Sequence, residues 1–315
     1  MIYIAVLQYL VYETILKTVL QSYILEFIPD QVPIILIIVA TAFITAGAAV
    51  LNDYFDVKID RINRPERVIV ASTVERANAL VFYGILTAIG VVAGVISGII
   101  SQNYTTILVF IVVPGILWFY SSTYKRQFII GNIMLALTAA LAVLIMAIGF
   151  VTTIIKTNPE LIYNIFIVNQ CYKITLILAL FVFLCTWIAA IYKDFINEAG
   201  DREMECRTMV IKLGAKKSKI VLLVLIFFVS LTALIFGLDF GNVNSLIFKY
   251  IALMINLPLL ALMYLTIKAK TVNNYSQTLF LVKIIIVTGI LFGLFYTFTM
   301  AKEHGFPIFG LFLLK

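Results

Sequence analysis

Residues 51–67 read LNDYFDVKIDRINRPER, and Asn52, Asp56 and Asp60 recur there every four residues at the end of a long apolar segment. On an α-helix, residues at i, i+4 and i+8 fall along one face, with neighbours about 6 Å apart. The spacing therefore predicts a row of one amide and two carboxylates. Lys58, Arg61, Arg64 and Arg67 crowd the same stretch. Acidic groups placed beside a membrane are costly, so such a row points to a task. Hard oxygen donors with bases at hand suit Mg2+ shared with a phosphate or pyrophosphate. The competing reading is a solvated helix end of mixed charge.

The segment before this row is one of many like it. The chain has 315 residues, 63% of them hydrophobic and only 12% charged. A soluble domain carries about twice that charged fraction, and runs of about 20 apolar residues are long enough to cross a bilayer. The fold class expected is all-α: a polytopic helical bundle of about nine spans around a cavity open to the bilayer, forming one domain over 1–315. The spans fall at about 1–22, 32–51, 77–100, 104–121, 129–152, 173–192, 218–238, 247–267 and 279–301. The apolar tail 305–315 is too short to span and is expected at the interface. No cleavable leader is recognisable.

Charge sorts the loops. Those after the second, fourth, sixth and eighth spans hold most of the lysines and arginines, whereas the opposite loops carry little more than Lys156, Lys173 and Lys249. The positive-inside bias puts the first group, and the N-terminus, in the cytoplasm. A net charge of +7 held in such loops reads as topology and anion binding, not as affinity for nucleic acid. Cys171, Cys185 and Cys206 have no metal or pairing spacing, and the single histidine, His304, excludes a histidine-based site.

The loop after the sixth span repeats the theme. In KDFINEAGDREMECRT (193–208), Asp194, Asn197 and Asp201 lie close together among Lys193, Arg202 and Arg207. Two acidic clusters on one membrane face can converge on a single anionic ligand through bridging metal ions. The loop after the fourth span, YSSTYKRQFIIGN (120–132), offers Tyr120, Lys125 and Arg126. Lys125 has the reach to approach a pyrophosphate held by the acids, although a base there also serves as a topology signal.

Together these residues resemble the UbiA superfamily of intramembrane prenyltransferases. Asn52-x-x-x-Asp56-x-x-x-Asp60 is similar to its first aspartate-rich motif, Tyr120-Ser121 with Lys125 to its tyrosine–serine–lysine element, and Lys193-Asp194 through Asp201 and Arg207-Thr208 to its second motif. Within the superfamily, NRPERVIVASTVERA and KDFINEAGDREMECRT most resemble geranylgeranylglycerol-phosphate geranylgeranyltransferases. The resemblance implies Mg2+-dependent transfer of a prenyl group from a prenyl diphosphate to a lipophilic acceptor in the membrane; no obligate protein partner is evident in the sequence. Asn52, Asp56, Asp60, Asp194, Asn197 and Asp201 would hold metal. Asp56, Asp201 and Lys125 would carry catalysis. Arg61, Arg67, Tyr120, Arg126, Lys193 and Arg207 would bind substrate, and Tyr54, Phe55, Tyr120 or Tyr192 would offer ring faces to an allylic cation.

Three departures stand out. Asn197 replaces the first aspartate of the second pair. Glu205 replaces a glycine, so a different backbone is expected there. The basic, asparagine-bearing entrance that relatives carry before IAVLQYLVYE is absent, so either that part of the polar site is missing or the true start lies upstream. Three other readings stay open: prenylation of an aromatic quinone precursor, a non-catalytic relative, and a transporter. A transporter would place charge at mid-bilayer in broken helices, whereas these spans are nearly free of charge.

Overall fold

A glycine stripe on the third span, Gly90-x-x-x-Gly94-x-x-x-Gly98, lets it pack closely against its neighbours. Helices in lipid associate by close packing at small residues, because lipid tails are as apolar as their side chains. A Cβ on Gly90 would lie 2.8 Å from the Ala40 carbonyl oxygen of the second span, and one on Gly94 would lie 2.2 Å from the Phe110 ring of the fourth. Those three helices therefore pack backbone against side chain with no room for a methyl group.

The computed structural model describes residues 2–23, 30–63, 65–159, 165–240, 243 and 245–307, with backbone alone for Ile2, Tyr3 and Arg67. The first helical run, α1, joins Ile2–Leu10, a π-helical Val11–Leu16 and Lys17–Ser22. There follow α2 (Gln31–Asn63), α3 (Arg76–Ile100), α4 (Tyr104–Ser122), α5 (Ile130–Thr157), α6 (Ile165–Ile196), the short α7 (Glu198–Glu203), α8 (Met209–Asp239), α9 (Leu246–Lys268, with a π-helical Ile251–Asn256) and α10 (Val272–His304). The described residues hold no strand, only an isolated bridge between Val70 and Val74. Eight of these helices are long and apolar enough to cross a membrane. The ninth expected span, 1–22, is α1, whose π-turn divides it into shorter pieces. The chain is an all-α, integral-membrane helical bundle.

Helix positions match the apolar runs, and the third, fourth and eighth spans end within a residue of expectation, but others run on well past it. The second span, expected at 32–51, continues to Asn63 and carries the whole Asn52–Asp60 row in helical form. The sixth continues to Ile196 and so includes Asp194. The stretch expected as the loop 193–217 is largely helical, with α7 and the start of α8 inside it; Gly214, at φ 75°, marks a kink between two helical pieces of α8. The expected interfacial tail lies mostly in 308–315, and Arg64 is a single residue; both lie outside the described residues.

The core is apolar and runs through α1, α2, α5, α6, α8, α9 and α10, with Phe150, Ile37, Ile188 and Tyr192 fully buried. A narrow apolar cavity of about 50 Å³ lies among α6, α8, α9 and α10, lined by Ile174, Phe181, Phe236 and Phe292 among others. Phe181 is about 20 Å along α6 from Asp194, so this cavity sits in the apolar body and not at the polar end.

Candidate functional site

Lys125 is brought to the Asn52–Asp56 pair by a tightly folded loop. Ile130 donates its backbone N–H to the Phe128 carbonyl at 2.7 Å around Ile129, which adopts φ 61°, ψ −40°. This three-residue turn is strained, the more so for a β-branched side chain. A Cβ on Gly131 would lie 2.5 Å from the Tyr124 carbonyl oxygen and 2.7 Å from the Lys125 Cα. The loop thus folds back on the start of α5 and leaves the Tyr124–Arg126 turn facing α2.

The contacts there are direct. Asn52 donates its amide to Asp56 Oδ2 at 2.9 Å, which confirms that the four-residue spacing falls on one helical face. Lys125 Nζ donates to Asn52 Oδ1 at 2.8 Å and forms a close ion pair with Asp56. Asp56 is buried, and its other oxygen, Oδ1, has no hydrogen-bond partner. Arg126 Nη2 donates to the Phe55 carbonyl at 3.0 Å, and the Arg126 carbonyl in turn accepts from the Arg207 N–H at 2.8 Å. The loops after the second, fourth and sixth spans therefore meet at one end of the bundle.

A second seam joins the two acidic clusters. Asn63, at the end of α2, donates its amide to the Asn197 carbonyl at 3.4 Å and accepts from the Gly200 N–H at 3.0 Å. Gly200 allows this approach, since a Cβ there would meet the Asn63 amide at 2.6 Å. Asp194 accepts from Asn132 at 2.9 Å. Asp201 is buried, and burial together with the nearby Asp56 charge pushes its pKa up to about 6, against the opposing pull of Lys125, the Thr208 hydroxyl and Arg126. The two clusters thus lie within electrostatic range of each other and share Lys125.

The other expected residues are distributed unevenly. Asp60 and Asn197 are half-buried on the site side of α2 and at the start of α7, and Tyr120 is half-buried at the end of α4. Arg61 is exposed and donates to the Ala71 carbonyl at 3.3 Å, which draws it toward the 65–74 loop. Lys193 and Arg207 are exposed. The Arg67 side chain lies outside the described residues. Of the ring faces, Tyr192 is buried with its hydroxyl on Thr266, and Tyr54 already carries the Arg76 guanidinium at 5.5 Å; both are packing residues. Glu205 adopts φ 52°, the left-handed conformation that glycine favours, so the backbone keeps a glycine-like turn despite the glutamate. Asn63 was not anticipated; a lone amide at a helix end carries no signal until its partner on α7 is known.

Among the described residues no three His, Cys, Asp or Glu side chains gather into a ready metal cage. Mg2+ needs only one or two carboxylates and leaves its other positions to water and phosphate. The partnerless Asp56 Oδ1 is one such donor.

The model of the UbiA prenyltransferase family matches residues 23–284. The chain belongs to the UbiA prenyltransferase family. Among curated UbiA relatives, digeranylgeranylglyceryl phosphate synthase of Methanobrevibacter smithii is 28% identical over 251 residues, covering 79% of this chain and 82% of that one. The enzyme of the same name from Sulfurisphaera tokodaii is 27% identical over 201 residues, covering 62% of this chain and 64% of the relative, just under two thirds of its length. A solved structure of digeranylgeranylglyceryl phosphate synthase in membranes superposes with a TM-score of 0.64 at 22% identity, covering 94% of each chain. A UbiA homolog from Archaeoglobus fulgidus, bound to DMAPP and Mg2+, superposes with a TM-score of 0.57 at 14% identity, over 94% of this chain and 98% of that one. These superpositions establish the shared fold.

Proposed function

We propose that this chain, acting as a single transmembrane unit over 1–315, transfers a prenyl group from a prenyl diphosphate to a lipophilic acceptor with the help of Mg2+. Geranylgeranyl diphosphate is the proposed donor and a prenylglycerol-phosphate lipid the proposed acceptor, in line with the names of the UbiA relatives. The reading rests on one observation above all: Lys125 reaches Asn52 and Asp56 while Asp194 and Asp201 stand close by. Two carboxylate clusters and two bases at one end of an apolar bundle suit a diphosphate whose tail runs between the helices. The positive loops at this end support a cytoplasmic active site.

Asn52, Asp56 and Asp201, with Asp60, Asp194 or Asn197, would hold Mg2+. When bound, Mg2+ supplies positive charge against the diphosphate oxygens. Lys125 and Arg126 add fixed cations where negative charge develops as the allylic C–O bond breaks and its electron pair leaves with the diphosphate. Preset charge of this kind costs no reorganisation during the step. Arg126 is held in place by Phe55 and Arg207, so it keeps its position as the leaving group departs. Apolar helices around the tail exclude water that would quench the allylic cation. The acceptor hydroxyl oxygen then bonds to the allylic carbon, and its proton passes to a diphosphate oxygen. No strong base is needed, because the cation drives the attack.

The test is a screen of radiolabelled prenyl diphosphates in membranes containing the protein, with Mg2+ or EDTA, against glycerol-phosphate lipids and hydroxybenzoate- or naphthoate-type acceptors. A Mg2+-dependent prenylated glycerol-phosphate product is expected. A prenylated aromatic product would overturn the acceptor, and turnover in EDTA would overturn the metal.

A further inference from the structure

Two charged side chains stand together inside α1, far from the site above. Glu13 and Lys17 form an ion pair at 2.7 Å, with Glu13 inside the π-helical Val11–Leu16. Ionisable residues within a membrane span are expensive and mark function, and π-turns recur at functional sites. The neighbouring face of this π-turn is fastened to α10. Thr297 donates its hydroxyl to the Thr14 carbonyl at 2.6 Å, the Thr18 and Thr297 hydroxyls meet at 2.9 Å, and Gly293 leaves room for Thr14. Tyr9, Glu13 and Lys17, one helical turn apart, face α2 instead.

Between α1 and α2 lies a cavity of about 200 Å³, lined by Tyr9, Tyr12, Glu13, Lys17, Gln31 and Ile34 among others. Tyr12 is 4% exposed, and its hydroxyl is buried with no hydrogen-bond partner. Tyr9 and Ile35, each 54% exposed, carry the lining out to the surface that faces lipid. About 33 Å of α2 separates Ile34 from Asp56, so the cavity lies at the opposite end of the bundle from the acidic clusters.

We propose that this cavity binds the uncharged, hydroxyl-bearing headgroup of a membrane lipid, of the glycerol type. The lining sums to no net charge, because Glu13 and Lys17 already neutralise each other. A single charge entering here would face both members of the pair, gaining from one what it loses to the other, and would leave its hydration for no net attraction. A vicinal diol leaves the pair intact. It donates to the spare lone pairs of Glu13, accepts from Lys17 or the Gln31 amide, and partners the Tyr12 hydroxyl. Ile34, Ile35 and Ile38 give the first carbons of the lipid chain an apolar wall. The inference does not rest on the proposed transferase reading, and its experiment reads binding separately from turnover.

The test uses the purified full chain in detergent with a monoacylglycerol carrying a diazirine near the ester, and crosslinks are mapped by peptide mass spectrometry. Saturable labelling of 9–17 and 31–38 is expected, displaced by unlabelled monoacylglycerol but not by lysophosphatidic acid or lysophosphatidylethanolamine of the same chain length. The combined change Glu13→Gln with Lys17→Met, and Tyr12→Phe alone, should each weaken labelling about fivefold, the scale of one lost hydrogen bond. Pyrophosphate release should stay at the wild-type rate in both. Labelling that does not saturate, labelling unchanged in Tyr12→Phe, or equal displacement by either charged lysolipid would overturn the proposal. Tyr12→Phe removes one hydroxyl and preserves packing, so it decides the matter if the double variant fails to fold.

Discussion

Lys125 does two jobs that can be separated by substitution. Without metal it is the counter-ion of the buried Asp56. Removing one partner of a buried pair strands the other, at about 3–5 kcal/mol. Lys125→Met should therefore lower the melting temperature of the metal-free protein, and Mg2+ should restore much of the loss by taking the place of the ammonium. Prenyl transfer should stay abolished with Mg2+ present, because the leaving group has lost its cation. A thermal-shift titration with parallel turnover assays checks both halves. Asp201 gives a pH prediction whose sign follows from its raised pKa of about 6. Between the ordinary Asp value and pH 6, the native state binds more protons than the unfolded one, so this group's contribution to stability falls as pH rises through that window. Mg2+ needs the ionised carboxylate, so the Mg2+ concentration for half-maximal stabilisation should rise as pH drops below about 6. Glu205 sits at φ 52°, where an L-residue is strained by roughly 1–2 kcal/mol. Glu205→Gly trades that strain for extra freedom in the unfolded chain, about 0.4–1 kcal/mol, and should be neutral to slightly stabilising in thermal melts.

At the scale of elements, the spacing of Asn52, Asp56 and Asp60 was enough to predict one helical face, and Asn52 does bond to Asp56. The helix carrying them was harder to bound. Hydropathy falls where the chain leaves the apolar layer, yet backbone hydrogen bonding carries α2 on to Asn63 and α6 on to Ile196. For the same reason 193–217 read as a loop although α7 and the start of α8 lie within it. The Asn63–Gly200 seam was invisible, because it depends on two helix ends meeting across more than a hundred residues of sequence. The folded-back turn at Ile129 was equally hidden, since nothing about an isoleucine announces a positive φ. Each of these elements can be tested. Gly131→Ala pushes a methyl group against the Tyr124 carbonyl and the Lys125 backbone. It should displace Lys125 and depress turnover while leaving the helix content unchanged, as judged by circular dichroism. Gly94→Ala drives a methyl group into the Phe110 ring. Overpacking of this kind costs about 1–3 kcal/mol, so lower thermal stability with little change in the affinity for prenyl diphosphate is expected.

At the scale of the whole molecule, the bundle is an apolar body with a polar end where three connecting stretches meet. Lys125 with Asp56, Arg126 with Arg207, and Asn63 with Gly200 tie those stretches together. The central claim is that the clusters around Asp56 and Asp201 act on one diphosphate. The most direct measurement is a double-mutant cycle on Mg2+-dependent pyrophosphate release from geranylgeranyl diphosphate, using Asp56→Ala, Asp201→Ala and the pair together in membranes. Residues that work on one ligand are coupled, so each single change should cut release severely to a small measurable residue and the pair should cost little more than either alone. Full activity in either single variant, or losses that simply add, would contradict a shared site.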